Sequence, residues 1–272
     1  MLYIIGIGLF DAKDITLRGL EAVKSCSAIY LEGYTSLLVD PSGLEELYGK
    51  PVITADRDFV EGSSIEQEVI LKSRTENVAF LVVGDPFGAT THADLVLRAR
   101  HEGIPVEVIH NAGIMNAVGC CGLQLYSYGQ AVSLCFWTDS WRPDSWYEKI
   151  LANRKAGLHT LVLVDIKVKE QSIENLCRGR KIYEPPRFMT AAQAAEQLIE
   201  VEKAKKMGAY DENTMCLALA RVGSPQQKIV YAKLSEIAEL DMGPPLHCLV
   251  IPGNIQPLEE EFAMGFALKK DD

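Results

Sequence analysis

Long apolar runs, paired cysteines and phosphate-binding glycine motifs are all missing from this sequence. No apolar run approaches the ~20 residues needed to span a bilayer, so a membrane-spanning helix is not expected. None of the seven cysteines forms a Cys-x-x-Cys pair, which supports neither a disulfide framework nor a zinc site, and no metal is expected. Buried, reduced thiols in a cytoplasmic protein are the simple reading. Positive charge is scarce: 27 Lys and Arg stand against 37 Asp and Glu, a net charge of -10. That argues against general nucleic-acid binding, which relies on basic surface to displace counterions. There is no Gly-Lys-Ser/Thr, so a phosphate-binding P-loop is excluded. Gly6-x-Gly8-x-x-Asp11 carries aspartate where a dinucleotide fingerprint needs its third glycine. Residues 1–9 lack a basic leader, which reads as no signal peptide. No internal repeat or low-complexity stretch is evident.

What is present is an alternation of apolar runs and amphipathic stretches over 272 residues, enough for one large domain or two ordinary ones. The clearest run, 78–83, is unbroken and rich in branched residues, as a parallel strand buried on both faces requires. Gly84-Asp85-Pro86-Phe87-Gly88 follows. Proline disfavours the helical region at Asp85, and Gly88 lets a backbone or ligand approach closely. Thr90 or Thr91 is placed to cap a helix at 93–100. In an open parallel sheet the carboxyl ends of the strands form the ligand crevice, so this loop is a candidate binding element. Its bland alternative is an ordinary strand-to-helix turn.

Residues 1–8 read as another buried strand, ending near Leu9, with Asp14 capping a helix at 15–25. Further strands are expected at 27–31, 51–54 and 106–109. Helices are expected at 41–48, 56–61 and 65–74, and a polar loop at 32–36. This is a β-α-β-α pattern, and so a parallel sheet covered by helices. A strand-end loop at 110–117, containing Gly113 and Ile114, closes it. The domain boundary falls there: an N-terminal α/β domain at 1–112 and a C-terminal α/β domain at 113–272. In the second half, strands at 131–136, 159–165, 214–222, 228–231 and 245–251 come with fewer helices. Those expected are one capped by Ser145, one at 191–206 capped by Thr190, and a short one from Leu234. The sheet there is expected to be mixed. Lys167, Lys169, Arg178, Arg180, Lys181 and Arg187 form a local basic excess, either a solvated face or a docking surface. The charged tail, 269–272, reads as loose.

Several strings taken together carry a resemblance. They are Met1-Leu2-Tyr3-Ile4-Ile5-Gly6-Ile7-Gly8-Leu9, Gly84-Asp85-Pro86-Phe87-Gly88-Ala89-Thr90-Thr91-His92, Phe136-Trp137-Thr138-Asp139-Ser140-Trp141-Arg142-Pro143, Asp165-Ile166-Lys167-Val168-Lys169-Glu170-Gln171 and Gly179-Arg180-Lys181-Ile182-Tyr183-Glu184-Pro185-Pro186-Arg187. In this order the sequence resembles the diphthine synthase family of tetrapyrrole-methylase-like, class III methyltransferases, in its eukaryotic form. The resemblance implies two α/β domains with a cofactor cleft between them, a homodimer, and S-adenosylmethionine as cofactor. It implies elongation factor 2 as protein substrate, at a histidine carrying a 3-amino-3-carboxypropyl group. Four methylations would give diphthine methyl ester; three would define the trimethylating branch. Carried over by position, the cofactor contacts would be Leu9, Asp85, Gly88, Gly113, Ile114, Val164, Val222 and His247. Read from the residues alone, Asp85 either accepts bonds from a ligand amine or ribose or caps its own turn. His247 is either a satisfied core residue or a contact. No catalytic base is singled out. A class III enzyme for a small molecule and a non-enzymatic binding module are the other readings.

Overall fold

Five short strands build the first unit in the computed structural model, which describes residues 1–34, 38 and 43–269. They are β1 (Leu2–Gly6), β2 (Ala28–Glu32), β3 (Ile53–Ala55), β4 (Val78–Val82) and β5 (Val106–Ile109). All pair in parallel, in the order β3-β2-β4-β1-β5. Side chains alternate across a strand, and β4 shows the consequence. Ala79 and Leu81 join Ile5, Val23 and Ile29 on one face, while Val78, Phe80 and Val82 join Leu2, Ile4 and Leu95 on the other. Both faces are therefore buried under helices, which is why the strands read as unbroken apolar runs.

The second unit begins at Val118. It contains β6 (Val132–Leu134), β7 (Thr160–Val164), β8 (Ile166–Lys167), β9 (Arg187–Phe188), β10 (Met215–Ala220), β11 (Lys228–Lys233) and β12 (His247–Ile251). The main sheet runs β11-β10-β12-β7-β6, with only β6 and β7 parallel. The expected α/β class, with a parallel sheet and then a mixed one, is what the chain forms. Alternate residues Ala218, Ala220, Leu249 and Ile251 pack against the helix Ala191–Lys205 through Ala191, Ala194, Ala195 and Leu198. That helix starts with a capping box in which Thr190 and Gln193 satisfy each other's orphan groups.

Several helix starts differ from expectation. Thr16, not Asp14, caps the helix Leu17–Ser25, taking the Gly19 N–H at 3.0 Å. Neither Thr90 nor Thr91 caps Ala93–His101, and Ser145 makes no capping bond for Trp146–Lys155. Residues 66–74 wind first as a wide turn, Glu66–Leu71, and then a tight one, Lys72–Arg74. The strand expected at 131–136 stops at Leu134, because the Phe136 N–H turns to the Asp165 carboxylate at 2.9 Å. A helix at Pro257–Met264 was not expected. Thr35 and Ser36 of the polar loop, Pro41 of the helix expected at 41–48 and residues 270–272 of the tail lie outside the described residues.

Candidate functional site

In the first unit, three strand-end loops meet over the end of β1. This strand lies between β4 and β5, so anything linking their loops must cross it. Gly6 makes the crossing possible: a Cβ there would stand 2.6 Å from the Gly84 carbonyl oxygen and 2.9 Å from the Asn111 Cβ. Gly8 and Gly84 exchange backbone bonds at 3.4 and 2.6 Å, and both have positive φ, +81° and +80°. Glycine takes that conformation without a steric penalty. Asn111 ties the third loop in, donating from Nδ2 to the Gly6 oxygen at 3.0 Å and the Asp14 oxygen at 2.9 Å. Asp14, displaced from its expected capping role, holds the first loop: its Oδ2 accepts from Leu9 N at 3.2 Å and Phe10 N at 2.7 Å.

Asp85 is the centre of this junction. Oδ1 accepts from Phe87 N at 2.9 Å; Oδ2 accepts from Asn111 N at 3.2 Å and faces His110 Nδ1 at 2.8 Å. Burial works to raise the carboxyl's pKa, but these donors and the adjacent imidazole outweigh it, and the net shift is downward. Asp85 therefore caps its own turn, and after the three protein donors one lone-pair site is left, on Oδ1. Gly88 N returns to the Asp85 carbonyl at 3.1 Å, and Thr90 Oγ1 closes the loop on the Pro86 oxygen at 2.5 Å. Gly113 sits against Asp85, where a Cβ would stand 3.1 Å from the Asp85 nitrogen. Ile114, next in the chain, opens a short helix half-buried. Leu9, Asp85, Gly88, Gly113 and Ile114 are thus all at the carboxyl edge of one sheet.

Val164, Val222 and His247 gather at one edge of the second sheet. Val164 ends β7, His247 opens β12 against Ala220, and Val222 lies two residues past Ala220. Pairing of Cys248 with Leu163 brings His247 alongside Val164. His247 is buried and both ring nitrogens are used: Nδ1 accepts from Ala191 N at 3.2 Å, and Nε2 donates to the Gly243 and Pro244 oxygens at 3.0 Å. Burial pushes its pKa down, so it is a neutral staple for the loop before β12. Arg221 does the same work from the other side, donating to the Met242 oxygen at 2.9 Å and to the Pro244 oxygen. His110, Asn111 and Arg221 were not singled out from sequence, and Asp14 was expected only as a helix cap. The available signal was position, since His110 follows β5 as directly as Gly84 and Asp85 follow β4.

The basic stretch is less basic than it reads. Lys167 pairs with Glu170 at 2.9 Å, Arg178 with Glu174 at 2.7 Å and Arg187 with Glu170 at 3.8 Å. Lys169 lies over the Tyr183 ring, and Arg180 and Lys181 are exposed. Among the described residues, no group of three or more His, Cys, Asp or Glu side chains could hold a metal. No helix among them is long and apolar enough to cross a membrane.

A sequence model of the tetrapyrrole (corrin/porphyrin) methylases matches residues 1–238. A diphthine methyl ester synthase of Candida glabrata is 58% identical over 274 residues, covering 100% of this chain and 91% of the relative. The chain belongs to the diphthine synthases of the tetrapyrrole methylase family. A human diphthine methyl ester synthase is 56% identical over 278 residues, covering 100% of this chain and 96% of that one. A solved structure assigned to diphthine synthase, from Entamoeba histolytica, superimposes with a TM-score of 0.86 at 52% identity, covering 99% of each chain. A further diphthine synthase crystal structure gives 0.82 at 31% identity, covering 98% of this chain and 95% of the other. The chain is a methyltransferase of this family, as its motif strings implied.

Proposed function

We propose that this diphthine synthase transfers methyl groups from S-adenosylmethionine to the 3-amino-3-carboxypropyl-histidine of elongation factor 2. Three go to the amine and a fourth to the carboxylate, giving diphthine methyl ester. The reading places the enzyme in the cytoplasm, as a homodimer acting on a protein substrate. The observation that carries it is the Asp85-centred junction of three strand-end loops, in a chain that matches relatives of that name along its whole length.

The residues present fit such a cofactor. A nucleoside with an amino-acid arm needs mostly apolar contact and a few convergent polar groups. In the first unit Leu9 and Ile114 are half-buried apolar side chains, and in the second unit Val164 and Val222 are half-buried apolar side chains at one edge of its own sheet. Gly88 and Gly113 leave the backbone without side chains, and Asp85 offers its remaining Oδ1 acceptor site to an amine or ribose hydroxyl. When bound, the sulfonium supplies a methyl already activated for in-line transfer. The protein's own contribution is then orientation and an apolar wall. His247 and Arg221 act by holding the loop from Asp241 to Leu246 in place rather than by reaction chemistry.

The test is methyl transfer to elongation factor 2 carrying the unmethylated modified histidine, followed by intact-mass and peptide mass spectrometry. Four additions, one removable by mild base, are expected. Three base-stable additions would move the enzyme to the trimethylating branch. No addition, with cofactor binding intact, would mean that the acceptor is wrong.

A further inference from the structure

We propose that His110 is the proton acceptor for the amine methylations and that the ester-forming step does not use it, Asp85 acting as its positioning residue. This rests on the acceptor proposed above. An alkyl amine at neutral pH is an ammonium with no lone pair, so it must lose a proton before each transfer. A carboxylate has its lone pairs and no proton to shed.

The five histidines of the chain separate cleanly. His92 is buried beneath the Gly84-Asp85-Pro86 loop with its ring edge-on to Phe80, and His159 is wholly buried against Glu259. His247 has both nitrogens bonded to backbone. His101 lies in the last turn of the helix Ala93–His101, which starts from the carboxyl end of β4 and so carries it to the opposite edge of the sheet. Only His110 combines access with a strand-end position. Its side chain is 67% exposed, while the Asp85 side chain it meets is 19% exposed. A carboxylate can only accept, so the hydrogen of this 2.8 Å contact lies on Nδ1, and in the neutral imidazole the lone pair is then on Nε2. No described residue bonds Nε2. Among the described residues, the groups facing the ring come from the β4 loop: Asp85, its ionisable partner, and Phe87, whose ring centroid is 6.1 Å away; Asn111, next in the chain, donates its backbone N–H to the same Asp85 oxygen.

The step balances as follows. The ammonium gives a proton to Nε2, and the resulting imidazolium is stabilised by Asp85. The amine nitrogen forms a bond to the methyl carbon as the sulfur–carbon bond breaks, its electrons leaving a neutral thioether. The exposed imidazolium returns its proton to water. Three such rounds take the ammonium to a quaternary nitrogen with no proton left. The carboxylate then attacks without a base.

The experiment compares wild type with His110→Asn, whose amide can still donate to Asp85. On the unmethylated acceptor at neutral pH the variant's rate is expected to fall roughly 10²–10⁴-fold and to recover as pH is raised and the amine deprotonates by itself. On acceptor already carrying the trimethylated amine, ester formation is expected to keep the wild-type rate. The S-adenosylmethionine dissociation constant by titration calorimetry should not move. Independently of activity, the ring nitrogen signals of His110 in wild-type NMR spectra should report the Nδ1–H tautomer. Normal amine methylation by the variant, an equal loss of both steps, or an Nε2–H tautomer would each overturn the assignment. A wild type that methylates no amine on this acceptor would instead sink the function proposed above, and the assignment with it.

Discussion

Asp85–His110 in the first unit and Glu259–His159 in the second are carboxylate–histidine pairs of nearly the same make, and the two differ in what their imidazoles have left to give. Asp85 collects Phe87 N, Asn111 N and His110 Nδ1; Glu259 collects Gln124 N at 2.9 Å, Gln256 N at 2.8 Å and His159 Nε2 at 3.3 Å. His110 is largely exposed with Nε2 open, whereas His159 is fully buried and its Nδ1 accepts from Gly253 N at 2.9 Å. One constellation can therefore be a reactive device or a structural clasp. The free nitrogen and its place at a strand end decide which, not the pair itself.

The largest effect should come from the buried pair. Glu259→Ala strands the buried His159 N–H and takes the acceptor from two part-buried backbone N–H groups, those of Gln124 and Gln256. Each unsatisfied group costs about 1–3 kcal/mol, so urea unfolding should show a loss of several kcal/mol. Asp85→Ala, at a half-exposed loop, should cost far less stability. Equal losses from the two variants would break the comparison.

Asp85→Ala should instead be read in ligand affinity. Hydrogen bonds to a charged group are worth about 1.5–3 kcal/mol, which corresponds to a 10- to 100-fold change in dissociation constant. Titration with S-adenosylmethionine measures it, and an unchanged constant would remove Asp85 from the binding set.

Acid should sharpen the contrast further. For Glu259, burial raises the carboxyl's pKa, but the bonds from Gln256 N, Gln124 N and His159 prevail, and the net shift is downward from 4.5. A carboxyl with a depressed folded-state pKa stabilises the fold above its unfolded pKa and loses that contribution as pH falls through the folded value. The melting-temperature gap between wild type and Glu259→Gln should thus hold at neutral pH and narrow below about pH 4.5. A gap constant down to strongly acidic pH would mean that Glu259 stays protonated in the fold.

The strands were legible because burial on both faces writes unbroken apolar runs, as at 78–83, and the rule that ligands sit at carboxyl edges pointed to Gly84, Asp85 and Gly88. The helix caps were not, since Asp14 and Thr16 are both good caps. Only the folded loop shows Asp14 spent on Leu9 and Phe10. The helix Pro257–Met264 was missed because Leu258, Phe262 and Met264 are exposed, so apolar spacing gave no inward face. The Asp85–His110 contact was out of reach for a topological reason. It joins loops from strands that are not neighbours, across β1, and depends on Gly6 having no side chain.

The smallest expected effect lies on the surface. The exposed Arg180 and Lys181 stand in a segment whose other cations are mostly paired with local acids or stacked on rings. If elongation factor 2 docks there, reversing both charges should raise KM for the protein substrate without touching kcat or cofactor affinity. The rise should shrink as salt is added, because exposed charges are screened over roughly 10 Å at 0.1 M. The local pairing limits the effect, since Lys167, Arg178 and Arg187 are already partly neutralised by Glu170 and Glu174. A KM unmoved at low salt would leave this stretch as a solvated face. A fall in kcat would mean that it belongs with His110 and Asp85 and that the division between chemical and structural polar clusters is drawn in the wrong place.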